Sequence, residues 1–597
     1  MSNYIKKAVK GVTYLLLYSS TPLLLSSCSD FLDIKPQSEI ILEEFWNEKA
    51  DVDNIVNGCY SRMLGDDIMR RFIVWGEGRA DNIAAGEGID KDASLQNLVN
   101  ENITTKNAYT AYDGFYNVIN RCNTVLKYAP QVAASDPGYT QSELNATIAE
   151  VSALRDLCYF YLIRTFRNVP YVTEAITDDN QDMVLAPKPF SEILDALIAD
   201  LESVQGKAIG RYPINRREYQ TGRITKCAIW AMLCEMYLWK GDYQNCIKYA
   251  DLVIEDKKEL YKEYVSQGYI TTTTTNNDSR FNGYPLISNQ TSTNSYGRAY
   301  NQLFIQGNSQ ETIFELVYET GAGHTTIGNS AVGLLYGNST VAKGYLAPST
   351  TVTEDFSKSS GRSIYADRNK KYDSRFFWNS FEGQGAIHKF VYSSSLSIDA
   401  SSADPKLSGI PVKYGYAKIN NVDHYYNSSN WIVYRLTDIM LLKAEALTQL
   451  LREGTDQATI DYNAPLIAEA FSLTNAVNKR SMMQNTLVDT LRSSDYRTKA
   501  QLEDLVLKER QRELMFEGKR WYDLVRRCLR DGNTNVLQQA MSRREGTNSQ
   551  YVQTFFSGDM GMHAIFLPYN DEETKVNPSL AAAQNPAFGS GEGNISK

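Results

Sequence analysis

Histidine is scarce. The 597 residues hold four, His324, His388, His424 and His563. None forms H-E-x-x-H and none has metal-ligand spacing to another, so the pattern of a zinc hydrolase is missing. No G-x-S-x-G marks a nucleophile elbow. The Gly-rich run 76–88, GEGRADNIAAGEG, and Gly321-Ala322-Gly323 do not continue as nucleotide fingerprints into a helix, and no Gly-Lys-Ser/Thr occurs. Basic residues are outnumbered, 61 Lys and Arg against 70 Asp and Glu. The resulting net charge of −9 argues against nucleic acid and against electrostatic adhesion to anionic lipid. Beyond the N-terminus no run is long and apolar enough to span a bilayer.

Cysteine is sparse too, and there is no C-x-x-C and no zinc-ligand spacing. Cys158, Cys227, Cys234 and Cys528 lie in helical apolar patterns and read as small buried hydrophobes. Cys227 and Cys234 are too far apart along one helix to bridge. Adjacent acids occur at Glu43-Glu44, Asp178-Asp179, Glu354-Asp355 and Glu572-Glu573. A glycosidase needs two carboxylates about 5–9.5 Å apart across a cleft, which adjacency does not supply, so these read as solvated charge.

What is present is tyrosine, 39 residues, with 7 Trp. Such amphipathic rings suit a wet binding surface as well as a core. At the N-terminus Lys6, Lys7 and Lys10 precede a largely apolar stretch, Val12 to Leu25, closed by Leu25-Ser26-Ser27-Cys28. This reads as a signal peptide, residues 1–27, with cleavage before a Cys28 that is then lipidated. Loss of those lysines takes the net charge to −12.

Helical periodicity runs over 43–64, 109–128, 144–166, 190–204 and 221–254, with a Thr140/Glu143 capping box. The pair joined at Lys240-Gly241-Asp242 looks like a tetratricopeptide repeat, with Leu233, Cys234, Tyr237, Cys246 and Ala250 in its places. One repeat cannot bury its face alone, so helix pairs should stack: 109–128 with 144–166, and 431–450 with 464–477. Cys234 and Cys246 stand where the closest contacts of such a pair fall, so a disulfide there is open but not favoured. A last helix over 501–530 begins with a Thr498/Gln501 capping box and puts Leu514, Trp521, Leu524, Val525 and Cys528 on one face. Its charges fall at i,i+3 or i,i+4 as Glu517–Arg520, Lys519–Asp523 and Asp523–Arg527. Gly518 interrupts it and predicts close approach by another segment.

Between 256 and 429 periodicity fails. Thr312–Tyr318 and Pro411–Lys418 could be short strands, and the rest reads as functional surface rich in rings. Residues 531–597 read as a Pro/Asn-rich extended segment.

The wording of five stretches resembles the SusD/RagB family of nutrient-binding outer-membrane lipoproteins of the Bacteroidota. They are RELMFEGKRWYDLVRR (Arg512–Arg527), ALRDLCYFYLIRTFRNVPYV (Ala153–Val172), WIVYRLTDIMLLKAEAL (Trp431–Leu447), the segment opening at Ser29-Asp30-Phe31-Leu32-Asp33, and FLPYNDEETKVNPSLAAAQNPAF (Phe566–Phe588). The resemblance implies a mostly α fold: a tetratricopeptide-like scaffold over about 43–255 and 430–530, with long irregular insertions and a few short strands, in a single domain from 28 to 597. It implies a surface protein, lipid-anchored to the outer membrane, that binds glycans or in some members peptides. Its partner would be a SusC-like TonB-dependent transporter. No cofactor or metal is called for. Candidate ligand contacts are Trp75, Arg79, Asp81 and Asn82 in an exposed loop, and Tyr296, Tyr300, Tyr336, Tyr345 and Trp378 in the insertion. On that reading, Trp75→Ala or Trp378→Ala weakens binding without lowering the melting temperature. A surface glycoside hydrolase and a repeat scaffold for envelope assembly are the competing readings.

Overall fold

A computed structural model describes residues 45–178, 181–270, 281–292, 295–318, 328–337, 344–353, 364–365, 373–379, 387–390, 392–398, 411–418, 429–482, 491–544 and 549–588. The signal peptide and Cys28 lie outside them. The chain divides into Met1–Asn47 and Glu48–Lys597. Of the first unit residues 45–47 are described, with the Phe45 and Trp46 rings edge-to-face at 5.3 Å. All that follows concerns the second.

Its frame is a stack of helices: α1 (Lys49–Met63), α2 (Asp66–Ile73), α3 (Asp113–Ser135), α4 (Gln141–Phe166), α5 (Phe190–Val204), α6 (Lys226–Lys240), α7 (Tyr243–Ser266), α8 (Leu436–Gln449), α9 (Gln457–Ser481), α10 (Lys499–Leu514) and α11 (Arg520–Asp531). Neighbours in space follow the chain: α1 packs on α3, then each of α3 to α9 on the next, and α8 and α9 on α10. This is the successive pairing of a helical repeat array. The local causes are legible. Glu143 N donates to Thr140 Oγ1 (3.3 Å) and Thr140 N to Glu143 Oε2 (3.0 Å), starting α4. Thr498 and Gln501 do the same for α10. Gly241, at φ +81°, ends α6, and Asp242 caps α7 by accepting from Asn245 N. Leu233, Cys234, Tyr237, Cys246 and Ala250 are all buried between these two helices. The Cys234 and Cys246 Sγ atoms lie 3.7 Å apart as thiols. No helix among the described residues is long and apolar enough to cross a membrane.

Among the described residues eight strands decorate the stack: β1 (Ile83–Ala85), β2 (Gln290–Ser292), β3 (Ser295–Tyr296), β4 (Thr312–Leu316), β5 (Leu346–Pro348), β6 (Tyr392–Ile398), β7 (Pro411–Lys418) and β8 (Trp431–Arg435). All pairings are antiparallel. They are β1 with β5, β4 with β8 (Phe314 opposite Tyr434), and a four-stranded sheet β2-β3-β6-β7. The expected strands at 312–318 and 411–418 are there. Residues 431–435, expected in a helix, instead form β8, because they pair edge to edge with β4 before α8 begins. The C-terminal segment, expected to be extended, carries short helices such as Asn535–Ser542 and Asp571–Val576. Its Asn and Pro residues act as caps: Asn570 Oδ1 accepts from Glu572 N.

The expected single helix over 501–530 is two helices. The chain turns between them with Phe516 at φ +68° and Gly518 at φ +71°. The predicted close approach is real. A Cβ on Gly518 would lie 2.7 Å from the Phe72 carbonyl oxygen, and one on Gly76 would lie 2.0 Å from the Gly518 oxygen. The charges also pair differently from the expectation of i,i+4 contacts on a wet face. They are buried and reach other elements. Glu513 accepts from Arg435 Nη1 (2.6 Å), Arg375 Nη1 (3.2 Å) and Arg480 Nη2. Glu517 accepts from Arg435 Nε (2.7 Å) and Lys389 Nζ (2.5 Å). Arg510 bridges Asp438 and Asp523, each at 2.9 Å, and Lys519 lies 3.0 Å from Asp438. Arg520 holds Asp81 at 2.8 Å, and Arg526 holds Glu445 at 2.6 Å. Burial opposes charge on Glu513, but Arg480, Arg435 and Arg375 more than offset it and hold the carboxyl well below its usual range. Asp438, likewise desolvated, is brought down to about 2 by Lys519 and Arg510.

Two outcomes follow. Gly518→Ala is strained at its left-handed φ and collides with backbone, so it should cost more than about 1–2 kcal/mol and lower the melting temperature by at least about 1–2 °C. Gly206→Ala, where a Cβ meets nothing within 4 Å, should leave it unchanged. Because Asp438 is depressed in the folded state, its contribution is fully present above its unfolded pKa of 3.8 and is lost as pH falls toward about 2. Asp438→Asn should therefore be destabilised at pH 7 by more than at pH 2 in urea titrations.

Candidate functional site

One cavity, of about 490 Å³, lies between the end of α4, the start of α5 and the C-terminal segment. Its walls are mostly apolar: Phe166, Phe190, Phe566, Leu567 and Pro586. A second, of about 250 Å³, lies beside α3 against Met183, Leu185 and Val576. A third, of about 170 Å³, has different chemistry. It is lined by Arg217, Tyr269, Arg298, Gln302, Gln306, Asn308 and Gln310, with Ser288 and Ser309. Planar amides, a guanidinium and a tyrosine edge are the groups that bond sugar hydroxyls and cover sugar faces. We take this polar cavity as the candidate site. It lies within the loop-rich insertion, with Arg217 contributed by a short helix, Arg217–Gly222.

The chain builds it from irregular backbone. A helical turn, Arg298–Tyr300, runs into a π-helical turn, Asn301–Gln306, and then Gly307 and Asn308 take positive φ before β4. Gly307 has no room for a side chain, since a Cβ would lie 2.3 Å from Asn430 Nδ2. Beneath, Asn308 N donates to Glu315 Oε1 (2.6 Å), and the Thr221 hydroxyl donates to Asn308 Oδ1 (2.8 Å). Burial lifts the Glu315 carboxyl to about 7, against the opposing pull of Asn308 N and Thr221. The Ile287 N–H donates to Glu311 Oε1 (2.6 Å), and Glu311 is held by Arg480 (2.9 Å), the cation that also meets Glu513. The floor of the cavity is thus tied to the buried network.

None of the residues singled out in the sequence lines this cavity. The expectation that Trp75, Arg79, Asp81 and Asn82 lie in an exposed loop is corrected: all four are buried. Trp75 stacks on Phe115 at 4.8 Å and donates from Nε1 to Tyr109 O (2.7 Å). Arg79 pairs with Glu101 at 2.7 Å and covers the Trp521 ring. Asp81 pairs with Arg520, and Asn82 accepts from Gln511 (2.9 Å). Tyr300 stacks on Trp378 at 5.0 Å and donates to Asn379 Oδ1 (2.9 Å), whose Nδ2 donates to Arg512 O. Tyr336 donates to Phe516 O (2.9 Å) at the bend. Tyr296 is buried in β3, and Tyr345 is half-buried with its carbonyl accepting from Gly86 N. The cavity residues Arg217, Tyr269, Gln302, Gln306, Asn308 and Gln310 were missed. The available signal was the amide density of 301–310, five Asn or Gln in ten residues.

Trp378→Ala therefore should destabilise the fold by about 3–5 kcal/mol. Gln302→Ala should stay within about 0.5 kcal/mol of the parent in urea denaturation.

Comparison with known proteins agrees with the wording of the sequence. A family model described as the SusD family matches residues 262–588, and one described as starch-binding, associating with the outer membrane, matches 30–238. SusD-like protein P38 of Formosa agariphila is 26% identical over 537 residues, covering 86% of this chain and 91% of its own. A SusD homolog from Bacteroides thetaiotaomicron has a similar fold, with TM-score 0.62, 17% identity and coverage of 91% and 98% of the two chains. A laminarin-binding SusD-like protein superposes with TM-score 0.53, 20% identity and coverage of 91% and 100%. The matched model spans more than half of the sequence, and the chain belongs to the SusD family.

Proposed function

We propose that this protein is a cell-surface glycan-binding lipoprotein, anchored to the outer membrane through Cys28, that delivers nutrient to a SusC-like TonB-dependent transporter. The observation that carries the reading is the polar cavity at 298–310, whose amides, arginines and tyrosine match sugar chemistry on the scaffold of a family with a laminarin-binding neighbour. No carboxylate among the described residues lines that cavity, which supports binding without turnover over glycoside hydrolysis, a reaction that needs an acid and base pair. The helical stack supplies a rigid body for the transporter, and the insertion supplies the contacts.

Native affinity electrophoresis of the purified protein through gels containing a panel of polysaccharides tests this. The expected outcome is retardation by at least one intact glycan, with no release of reducing ends and with weaker retardation of Gln302→Ala. Retardation by none, with binding of oligopeptides in calorimetry, would replace the glycan by a peptide ligand. Release of reducing ends would establish a hydrolase.

A further inference from the structure

The polar cavity carries a charge pattern at odds with the protein around it. The chain has a net charge of −9, yet among the described residues the charged lining of this cavity is cationic, Arg217 and Arg298, with no Asp or Glu. Four acids of the described residues that lie near this lining in sequence are committed elsewhere. Glu218 is paired with Arg216 at 2.7 Å, Glu263 with Arg211 at 3.2 Å and Glu311 with Arg480 at 2.9 Å. Glu315 is buried below, accepting from Asn308 N.

Arg217 is the more telling of the two cations. Its guanidinium carbon lies 4.5 Å from the Tyr264 ring centroid and 5.4 Å from that of Tyr269. These rings hold the cation by its face. Its Nε is buried and meets no hydrogen-bond acceptor among the described residues. A guanidinium that lines the cavity and is held by its face is a planar donor fork suited to a planar or tetrahedral oxyanion, which accepts two parallel N–H bonds. Gln302, Gln306 and Gln310 stand around it to bond neutral hydroxyls. At about 170 Å³ the cavity is smaller than the ~300–1,000 Å³ of a site for a whole drug-sized ligand, so it takes one unit of a longer chain.

We infer that the cavity selects an anionic glycan, one whose sugar units bear carboxylate or sulfate ester groups, with Arg217 as the residue that recognises the anion. This rests on the reading of the cavity as the glycan site. Binding should then weaken as salt rises, because the attraction of partly exposed charges is screened.

The test compares polygalacturonate and a sulfated galactan with laminarin, starch and neutral galactan, using the purified protein in affinity gels and isothermal titration. The expected result is retention by an acidic glycan and not by neutral ones, weakened at least tenfold in Arg217→Gln and partly kept in Arg217→Lys. Gln306→Glu, at an exposed position, should abolish it and serves as the second variant should Arg217→Gln fail to fold. Retention by neutral glycans with Arg217→Gln unchanged would overturn the charge selection and leave the glycan reading standing. Retention by no glycan at all would overturn both.

Discussion

The turn at 515–519 is the constraint on which the rest depends. Two helices meet there with Phe516 and Gly518 both in left-handed backbone, and α10 ends with carbonyls that have no helical partner. Lys389 supplies the partners, donating to Glu513 O (2.9 Å), Met515 O (3.0 Å) and the Glu517 carboxylate. Arg435 adds a bond to Glu513 O and two to Glu517. Burial brings the Lys389 amine down to about 8 in spite of Glu517. Placing so many charges out of water is costly, and the geometry returns that cost only while every partner is present. Removing one member of such a buried pair typically costs about 3–5 kcal/mol.

That requirement is what ties distant parts of the chain together. Lys389, Arg375 and Asp373 come from the insertion, Arg435 from β8, Asp438 from α8, Arg480 from α9 and Asp81 from the turn before β1. The repeat array is held mainly by apolar packing, as in the cluster of Leu436, Met440, Leu447, Leu473, Val477 and Leu502. The insertion shares that packing, placing Phe281 and Leu286 in the same cluster and burying Phe304, Phe314 and Phe376, and it has polar ties as well. It is fixed through Glu311 on Arg480 and through the relay from Tyr300 to Asn379 to the Arg512 carbonyl. Irregular backbone around 301–310 is therefore shaped by charges that lie at the C-terminal end of the sequence.

The helical stack was readable because its signals are local. Periodicity, the Thr140 and Thr498 capping boxes and Gly241 act within a few residues, and the array follows from them. The break inside 501–530 was only half readable: Gly518 announced a close approach, but the partner, Gly76, lies far away in sequence. Charges at i,i+4 looked like a wet face because spacing cannot tell solvent from a buried cation on another element. For the same reason Trp75, Tyr300 and Trp378 looked like ligand platforms. An aromatic side chain reads alike in sequence whether it faces water or stacks on Phe115. The cavity at Arg217 escaped because it is made by residues from four separate segments.

Buried ion pairs thus hold the insertion against the repeat scaffold. Hydrogen exchange read by mass spectrometry on Arg480→Met tests this most directly. Arg480 bridges Glu311 of the insertion and Glu513 of α10. Faster exchange across 285–318 is expected, with α3 and α4 protected as in the parent protein. Unchanged protection of 285–318, or acceleration spread evenly over the whole stack, would contradict it.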